Sequence, residues 1–251
     1  MTRIYGFLGR RSLLQIAGIG GFGLAVNTLS GMLGSIPPAQ ADGGQSSAPN
    51  SPDAVLEQLL EGNQRFIQQK RKYPHQSPTR LQEVAQGQHP IATILSCADS
   101  RVPPEIIFDQ GIGDLFDARI AGNIVTPESL GSIEYAALLG TPIVLVLGHE
   151  RCGAVTAAVK REVLPGQIGS FVKAIKPAIL RVKQRSDDPV EDLVIANVQY
   201  QVDRLKRDSN LLSGLEQSGK LKIIGGRYDL DAGKVTVVAW FVIGAHFNNK
   251  F

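Results

Sequence analysis

The sequence has 251 residues, of which 43% are hydrophobic and 20% are charged. With 27 glycines, 14 prolines and two cysteines it has the composition of a globular domain, which excludes disorder, collagen and a disulfide-rich mini-protein. The formal charge of +3 arises from three arginines in residues 1–41, which contain no acidic residue. From Asp42 onward 23 basic residues balance 23 acidic ones. This neutral balance gives no indication of a nucleic-acid partner.

Residues 1–41 have the three-part layout of an export signal. The pair Arg10-Arg11 precedes a weakly apolar stretch, residues 13–33, which contains five glycines, and small residues follow as far as Ala41. The arginine pair resembles a twin-arginine signal, which predicts export to the periplasm, or to a thylakoid lumen where the source has one. The alternative is an uncleaved membrane anchor, because about 20 apolar residues can span a bilayer. We expect cleavage after Ala41 and no membrane association afterwards.

The remaining chain is predicted to consist of a tether and one domain. Residues 42–52 are rich in Gly, Ser and Pro and predict a flexible tether, and residues 53–251 form the predicted domain. Apolar residues then recur at helical spacing, which predicts an amphipathic arm that Asp53 caps and that ends near Lys70.

The domain alternates between strand and helix patterns. Short apolar runs predict buried parallel strands at residues 91–96, 143–147 and 221–224. Helical patterns alternate with them as in βαβ units, at residues 130–139, 154–163, 171–184 and 191–207.

The chain is predicted to end in an antiparallel strand. The pair Gly225-Gly226 predicts a turn where the third apolar run stops. Residues 234–241 follow a second turn at residues 231–233 and are predicted to return as an edge strand. The predicted fold class is therefore α/β, with a central mostly parallel sheet, an antiparallel edge strand, flanking helices and an N-terminal helical arm.

The two cysteines each come shortly after a predicted strand. Cys97 follows the first apolar run, and Cys152 follows the second by a few residues, with His149 three residues before it. Carboxyl ends of parallel strands are where open α/β sheets place their ligand sites. Two thiolates and one imidazole are three tetrahedral zinc ligands that leave a fourth position open, as in catalytic sites. A disulfide and two buried free thiols are the alternatives that spacing leaves open.

The motifs C-x-D-S-R at residues 97–101 and H-x-x-C at residues 149–152 resemble the zinc signature of the β-class carbonic anhydrases. The resemblance extends over nearly the whole predicted domain. It implies one zinc ion (Zn2+) per chain, held by Cys97, His149 and Cys152, with water or hydroxide as the fourth ligand. It also implies catalytic roles for the two charged residues of the first motif. Asp99 would accept a hydrogen bond from that fourth ligand, and Arg101 would hold Asp99 through a charge-assisted pair.

Within that family, the sequence resembles the plant-like, open-site subtype. That subtype has a glutamine nine residues before the first cysteine, which is Gln88 here, and its amide would donate a hydrogen bond to bicarbonate. The other subtype has a tryptophan three residues before that cysteine, where this chain has Ile94. Phe116, Ala121 and Tyr135 match positions that surround the apolar CO2 pocket, often from across a dimer interface.

The resemblance implies reversible hydration of CO2 to bicarbonate and a proton. A homodimer or a higher homo-oligomer is implied by the family only. There are two alternatives: hydrolysis of carbonyl sulfide or carbon disulfide on the same scaffold, and an exported zinc-binding protein without catalytic activity. Relative rates on CO2 and on the sulfur-containing gases would identify a hydrolase, and bound zinc without hydration activity would favour the non-catalytic protein.

Overall fold

The computed structural model describes residues 51–161 and 164–239. The predicted export signal and residues 42–50 of the predicted tether lie outside these ranges. Five strands lie in the described ranges: β1 (Ala92–Ser96), β2 (Leu115–Arg119), β3 (Ile143–His149), β4 (Lys222–Tyr228) and β5 (Val235–Ala239). The helices there are α1 (Pro52–Ile67), α2 (Pro78–Val84), α3 (Pro104–Ile107), α4 (Pro127–Leu138), α5 (Gly153–Lys160), α6 (Gly169–Ile179), α7 (Pro189–Asp208) and α8 (Asn210–Gln217).

The strands form one sheet in the order β2-β1-β3-β4-β5. The first four run parallel, and β5 pairs antiparallel with β4 at the edge. The predicted fold class is therefore confirmed. Every residue of β1 and β3 is buried, as expected for central strands that have helices on both faces.

Alternation along the strands separates two cores on opposite faces of the sheet. One core contains Ile94 and Leu145 from the sheet and Leu59 from α1. The other contains Leu95 from β1 and Val198 from α7. Since neighbouring residues of a strand point to opposite faces, the buried runs read in the sequence as continuous apolar segments. None of the helices in the two described ranges is long and apolar enough to cross a bilayer.

The N-terminal helix starts slightly earlier than predicted. Ser51 is the N-cap, and its side chain accepts a hydrogen bond from the Ala54 amide at 3.2 Å. Pro52 occupies the first turn, where its missing N–H costs nothing. The prediction that Asp53 caps the helix is wrong, because Asp53 lies inside the first turn, next to the positive end of the helix dipole.

One predicted strand end is wrong and one strand was not predicted, each for an identifiable reason. The predicted turn at Gly225-Gly226 is wrong, because β4 continues through both glycines. A Cβ atom at Gly225 would lie 2.5 Å from Cγ1 of Val198, so glycine here lets α7 approach the sheet closely. The sequence reading missed β2 altogether. This edge strand contains Asp117 and Arg119 and is only partly buried, so it forms no apolar run.

A partly buried carboxyl group on β2 makes the stability of the fold depend on pH. Asp117 is paired with Ile94 in the register of β1 and β2, and its Oδ1 atom is buried without a hydrogen-bond partner. Burial, and then the negative charge of Glu105 on α3, raise the pKa of Asp117 to about 7. A raised carboxyl pKa stabilises the fold below the unfolded-state pKa of about 4, and this contribution is lost as the pH rises through about 7.

We therefore expect Asp117→Asn to become more stable relative to wild type as the pH rises. Between pH 5 and pH 8 the difference in free energy of unfolding should change by about 2 kcal/mol in favour of the variant. Urea unfolding at a series of pH values measures this change. Glu105→Gln is the control, since removing that charge should lower the pKa of Asp117 and shift the loss of stability to lower pH. Parallel curves for wild type and Asp117→Asn would contradict the assignment.

Candidate metal centre

The three predicted metal ligands come together at the carboxyl edge of the sheet. Cys97 directly follows β1, His149 is the last residue of β3, and Cys152 is the N-cap of α5. One ligand atom of each lies within 4.8 Å of the others, and all three side chains are buried. Strands β1 and β3 are neighbours although β2 lies between them in the sequence. Such a topological switch point is where open α/β sheets bind ligands.

The arrangement of donor atoms fits a zinc ion. Both cysteines are free, so a disulfide is not the arrangement found. His149 is fully buried, and its Nδ1 contacts the carbonyl oxygen of Glu150 at 2.8 Å. Its Nε2 is buried without a hydrogen-bond partner. A metal-binding imidazole has this pattern, with one nitrogen held by a carbonyl group and the other turned towards the ion.

The two buried thiols shift each other's pKa in opposite directions. A hydrogen bond from the Cys152 thiol is the main cause that lowers the pKa of Cys97, against the opposing effect of burial, while His149 and the Gly122 amide lower it further. The Cys97 thiolate in turn raises the pKa of Cys152. A divalent cation bound between the two sulfurs would displace the remaining proton.

Asp99 and Arg101 form a closed pair beside the ligands. Arg101 donates to Asp99 Oδ1 from its backbone amide at 3.0 Å and from Nε at 2.9 Å, and to Oδ2 from Nη2 at 2.8 Å. These contacts hold the pKa of Asp99 well below its usual range. Asp99 Oδ2 lies 3.9 Å from His149 Nε2. The structure therefore places an ionised, acceptor-only carboxylate next to the candidate metal position.

Two further residues fix the loop after β1, and the sequence reading missed both. Arg119 donates from Nε to the Cys97 carbonyl at 3.1 Å and from Nη2 to the Asp99 carbonyl at 2.7 Å. The Gly122 amide donates to Cys97 Sγ at 3.3 Å. An arginine on a half-exposed strand and a glycine in a short turn have no distinctive sequence signal, because their partners are backbone atoms and a sulfur that only the fold brings near.

The loop between His149 and Cys152 is fastened to the turn between β4 and β5. Glu150 forms an ion pair with Arg227, and its Oε2 accepts a hydrogen bond from the Leu230 amide at 2.9 Å. Arg151 has a positive φ of 49° and makes two contacts with Asp231, at 2.9 and 2.8 Å. We call this set of contacts the loop clamp. It connects the backbone next to two of the three ligands with a second part of the fold.

The predicted substrate-pocket residues lie in three different places. Ala121 lies in a short 3-10 turn, Ala121–Asn123, directly beside the Cys97 contact. Gln88 is exposed in the loop between α2 and β1. Phe116 and Tyr135 contact each other with ring centroids 6.3 Å apart, on β2 and α4. The structure thus brings Ala121 next to the candidate metal centre of the same chain, whereas Phe116 pairs with Thr93, four residues before Cys97, and contacts Tyr135 instead.

Comparisons with known proteins agree with this geometry. The family profile described as carbonic anhydrase matches residues 92–235. Carbonic anhydrase 2 of Mycobacterium tuberculosis is 40% identical over 195 residues, which cover 75% of this chain and 94% of that protein. A carbonic anhydrase of Mycolicibacterium smegmatis is 37% identical over 193 residues, which cover 74% and 94% of the two chains.

Solved structures show the same fold. The β-carbonic anhydrase CafA of Aspergillus fumigatus matches with a TM-score of 0.58 and 26% identity, covering 74% of this chain and 89% of that chain. The Coccomyxa β-carbonic anhydrase in complex with acetazolamide matches with a TM-score of 0.58 and 26% identity, covering 73% and 86%. The chain therefore belongs to the β class of the carbonic anhydrase family and is a carbonic anhydrase enzyme.

Proposed function

We propose that Cys97, His149 and Cys152 hold one zinc ion and that this centre catalyses the reversible hydration of CO2. The observation that carries the proposal is the buried Nε2 atom of His149, which has no hydrogen-bond partner and lies beside two free buried thiols. Burying an unsatisfied polar atom is costly, and a metal bound there would remove that cost. Zinc would supply a nucleophilic oxygen from water near neutral pH.

The chain itself orients the reacting water. Asp99 is ionised, so its free lone pairs can only accept, and an O–H bond of the water would donate to it. This contact turns a lone pair of the water oxygen towards the carbon of CO2. Arg101 holds both carboxylate oxygens and so fixes that direction, which lowers the barrier by positioning. Because the pKa of Asp99 is low, Asp99 does not retain the released proton, which passes on to solvent or buffer.

The contact between Asp99 and Arg101 also supports the open-site subtype. A carboxylate that closed the centre would have to leave Arg101 and turn towards the sulfur atoms. Here all the hydrogen bonds described for the Asp99 side chain come from Arg101, which is the arrangement that the open-site subtype requires.

The first experiment measures zinc content and CO2 hydration on the same sample of protein that begins at Asp42. We expect one zinc per chain and rapid hydration in a stopped-flow assay. Carbonyl sulfide and carbon disulfide serve as comparison substrates, and faster turnover of either gas would favour the hydrolase alternative. Zinc without turnover of any of the three would favour a non-catalytic binding protein.

We infer that the active form is a homodimer in which Phe116 and Tyr135 of one chain complete the CO2 pocket of the other. Phe116 pairs with Thr93, four residues before Cys97, and on α4 Tyr135 and Leu138 are 50% and 70% exposed. Exposed large apolar side chains close together on one helix face are typical of a contact surface.

The oligomeric state of Leu138→Arg tests this inference. A buried arginine without a partner destabilises an interface, so the variant should sediment as a monomer with reduced hydration activity. Leu180→Arg is the matched control, because Leu180 is 92% exposed at the end of α6 and should tolerate the charge. An unchanged sedimentation coefficient for Leu138→Arg would contradict the assigned surface.

We propose that the enzyme works outside the cytoplasm, after export through the signal at residues 1–41. The support is the sequence pattern, with its arginine pair and Ala41 before the predicted cleavage point. Replacing Arg10 and Arg11 by lysine should block export. The mass of the exported protein measures the cleavage position, and retention of all 251 residues would favour the membrane anchor.

A further inference from the structure

We propose that Asn197 on α7, supported by Gln201, is a positioning residue that holds the Gly122 amide on the sulfur of Cys97. The inference rests on the proposed zinc centre and deepens it. It assigns a role in that centre to two side chains that do not touch the three ligands. Their effect passes through the backbone of the short turn Ala121–Asn123.

The position of the Gly122 amide depends on an uncommon backbone conformation. Gly122 has φ 74° and ψ 18°, in the left-handed region that favours glycine. A Cβ atom there would lie 2.8 Å from Cδ1 of Ile175 and 3.2 Å from Cβ of Ala154. These contacts leave no room for a side chain at residue 122. The turn that directs the Gly122 N–H to Cys97 must therefore be held through backbone atoms.

Helix α7 supplies the missing anchor through three side chains spaced one turn apart. Asn197 Nδ2 donates to the Gly122 carbonyl at 2.9 Å, and Gln201 Nε2 donates to Asn197 Oδ1 at 3.0 Å. The Val125 amide donates to Gln201 Oε1 at 2.9 Å, and Arg204 Nη1 donates to the Val125 carbonyl at 2.7 Å. These four bonds hold both ends of the segment from Gly122 to Val125.

The chain of bonds is buried and directional. Asn197 is 1% exposed and Gln201 is fully buried. Each amide donates to one partner and accepts from another, so reversing either side chain would leave several buried groups without partners. Asn197 therefore fixes the peptide plane that follows Gly122. The N–H that contacts Cys97 belongs to the plane before Gly122, so its direction follows from the fixed plane through the φ of 74° and ψ of 18° that Gly122 adopts.

The hydrogen bond to sulfur gives this positioning a chemical consequence. An N–H donor withdraws electron density from a thiolate, so it reduces how strongly the sulfur donates to a bound metal ion. Partners of metal ligands act in this way, and their loss typically weakens metal binding by about 10–100-fold. Loss of Asn197 should thus change the electronic state of the Cys97 thiolate, whereas a side chain that only packs against the core would leave it unchanged.

The test compares Asn197→Ala with two substitutions on the same helix. Gln199→Ala removes an amide that donates to the Val238 carbonyl on β5, away from the turn. Val202→Ala truncates a buried apolar side chain and supplies a loss of stability without touching the amide chain. Two measurements are made: hydrogen exchange of the Gly122 amide in metal-free protein, and the thiolate-to-metal absorption of cobalt(II)-substituted protein.

We expect the Gly122 amide of Asn197→Ala to exchange at least about tenfold faster than in either control. We also expect the cobalt absorption band to move to longer wavelength in Asn197→Ala alone, because a thiolate without its N–H donor gives up charge more easily. If Asn197→Ala fails to fold, Gln201→Met replaces it. That variant keeps the volume and removes the donor to Asn197, with smaller shifts expected in the same direction.

Exchange rates and band positions equal to those of Val202→Ala would overturn the inference. That result is distinguishable from a failure of the proposed function. Wild-type protein that binds neither zinc nor cobalt would refute the metal centre itself. Wild-type protein that binds zinc and hydrates CO2, together with an unchanged Asn197→Ala, would refute the positioning role alone.

Discussion

Removal of Cys97 or His149, two of the three proposed metal ligands, is expected to abolish zinc binding and CO2 hydration together. In Cys97→Ser a hydroxyl replaces the thiolate, and in His149→Ala the nitrogen that faces the two sulfurs is lost. Two remaining ligands cannot form the three-ligand site of a catalytic zinc. Since loss of even an outer partner weakens binding by 10–100-fold, loss of a ligand should exceed about 100-fold.

Zinc content and hydration rate are measured on the same purified samples. His75→Ala is the matched control for His149→Ala, because His75 contacts Asp114 at 2.7 Å and is no part of the ligand group. It should retain one zinc per chain and the wild-type rate. Full activity of zinc-depleted Cys97→Ser would refute the metal assignment.

Replacement of Asp99 by asparagine is expected to separate metal binding from turnover. Asp99→Asn keeps the shape of the side chain, and the three ligands are untouched, so the variant should hold one zinc per chain. Its amide nitrogen would be a donor facing either Arg101 or the reacting water, and the negative charge is lost. Misplacing a reactant can cost about 100-fold in rate, and Asp99 orients the reacting water through the hydrogen bond that it accepts, so kcat should fall by at least that factor.

The matched control is Asp203→Asn. Asp203 is an exposed carboxylate paired with Arg181, and its loss should leave kcat unchanged. Arg101→Ala is informative as well, because it frees Asp99 without removing it and should reduce kcat less than Asp99→Asn does. A wild-type rate in zinc-loaded Asp99→Asn would remove this carboxylate from the mechanism.

The sequence was sufficient to predict that the three candidate metal ligands come together, because their signal is local and chemical. Cys97 and His149 stand where apolar runs stop, and parallel strands bring such positions to one edge of the sheet. The sheet order was not predictable in the same way. The pairing of β1 with β3 depends on which apolar surfaces meet, and no short stretch of residues encodes it.

The rest of the site escaped sequence reasoning for a common physical reason. Arg119, Gly122 and Asn197 act through backbone carbonyls, an amide and a sulfur, and these partners are 20 to 75 residues away in the sequence. A polar residue on a buried helix face, such as Gln201, also interrupts an apolar pattern without revealing its partner. The turn predicted at the glycine pair of β4 was wrong because glycine occurs both in turns and where a helix packs closely against a strand.

The loop clamp has a consequence for protein engineering. A short turn between two antiparallel strands at a protein surface is an ordinary place to insert a tag or a reporter domain. Here the turn after β4 bonds through Leu230 and Asp231 to the residues between His149 and Cys152. An insertion there would therefore act on metal affinity from outside the centre. The connection between α6 and α7, which is largely exposed, offers a more neutral place for a fusion partner.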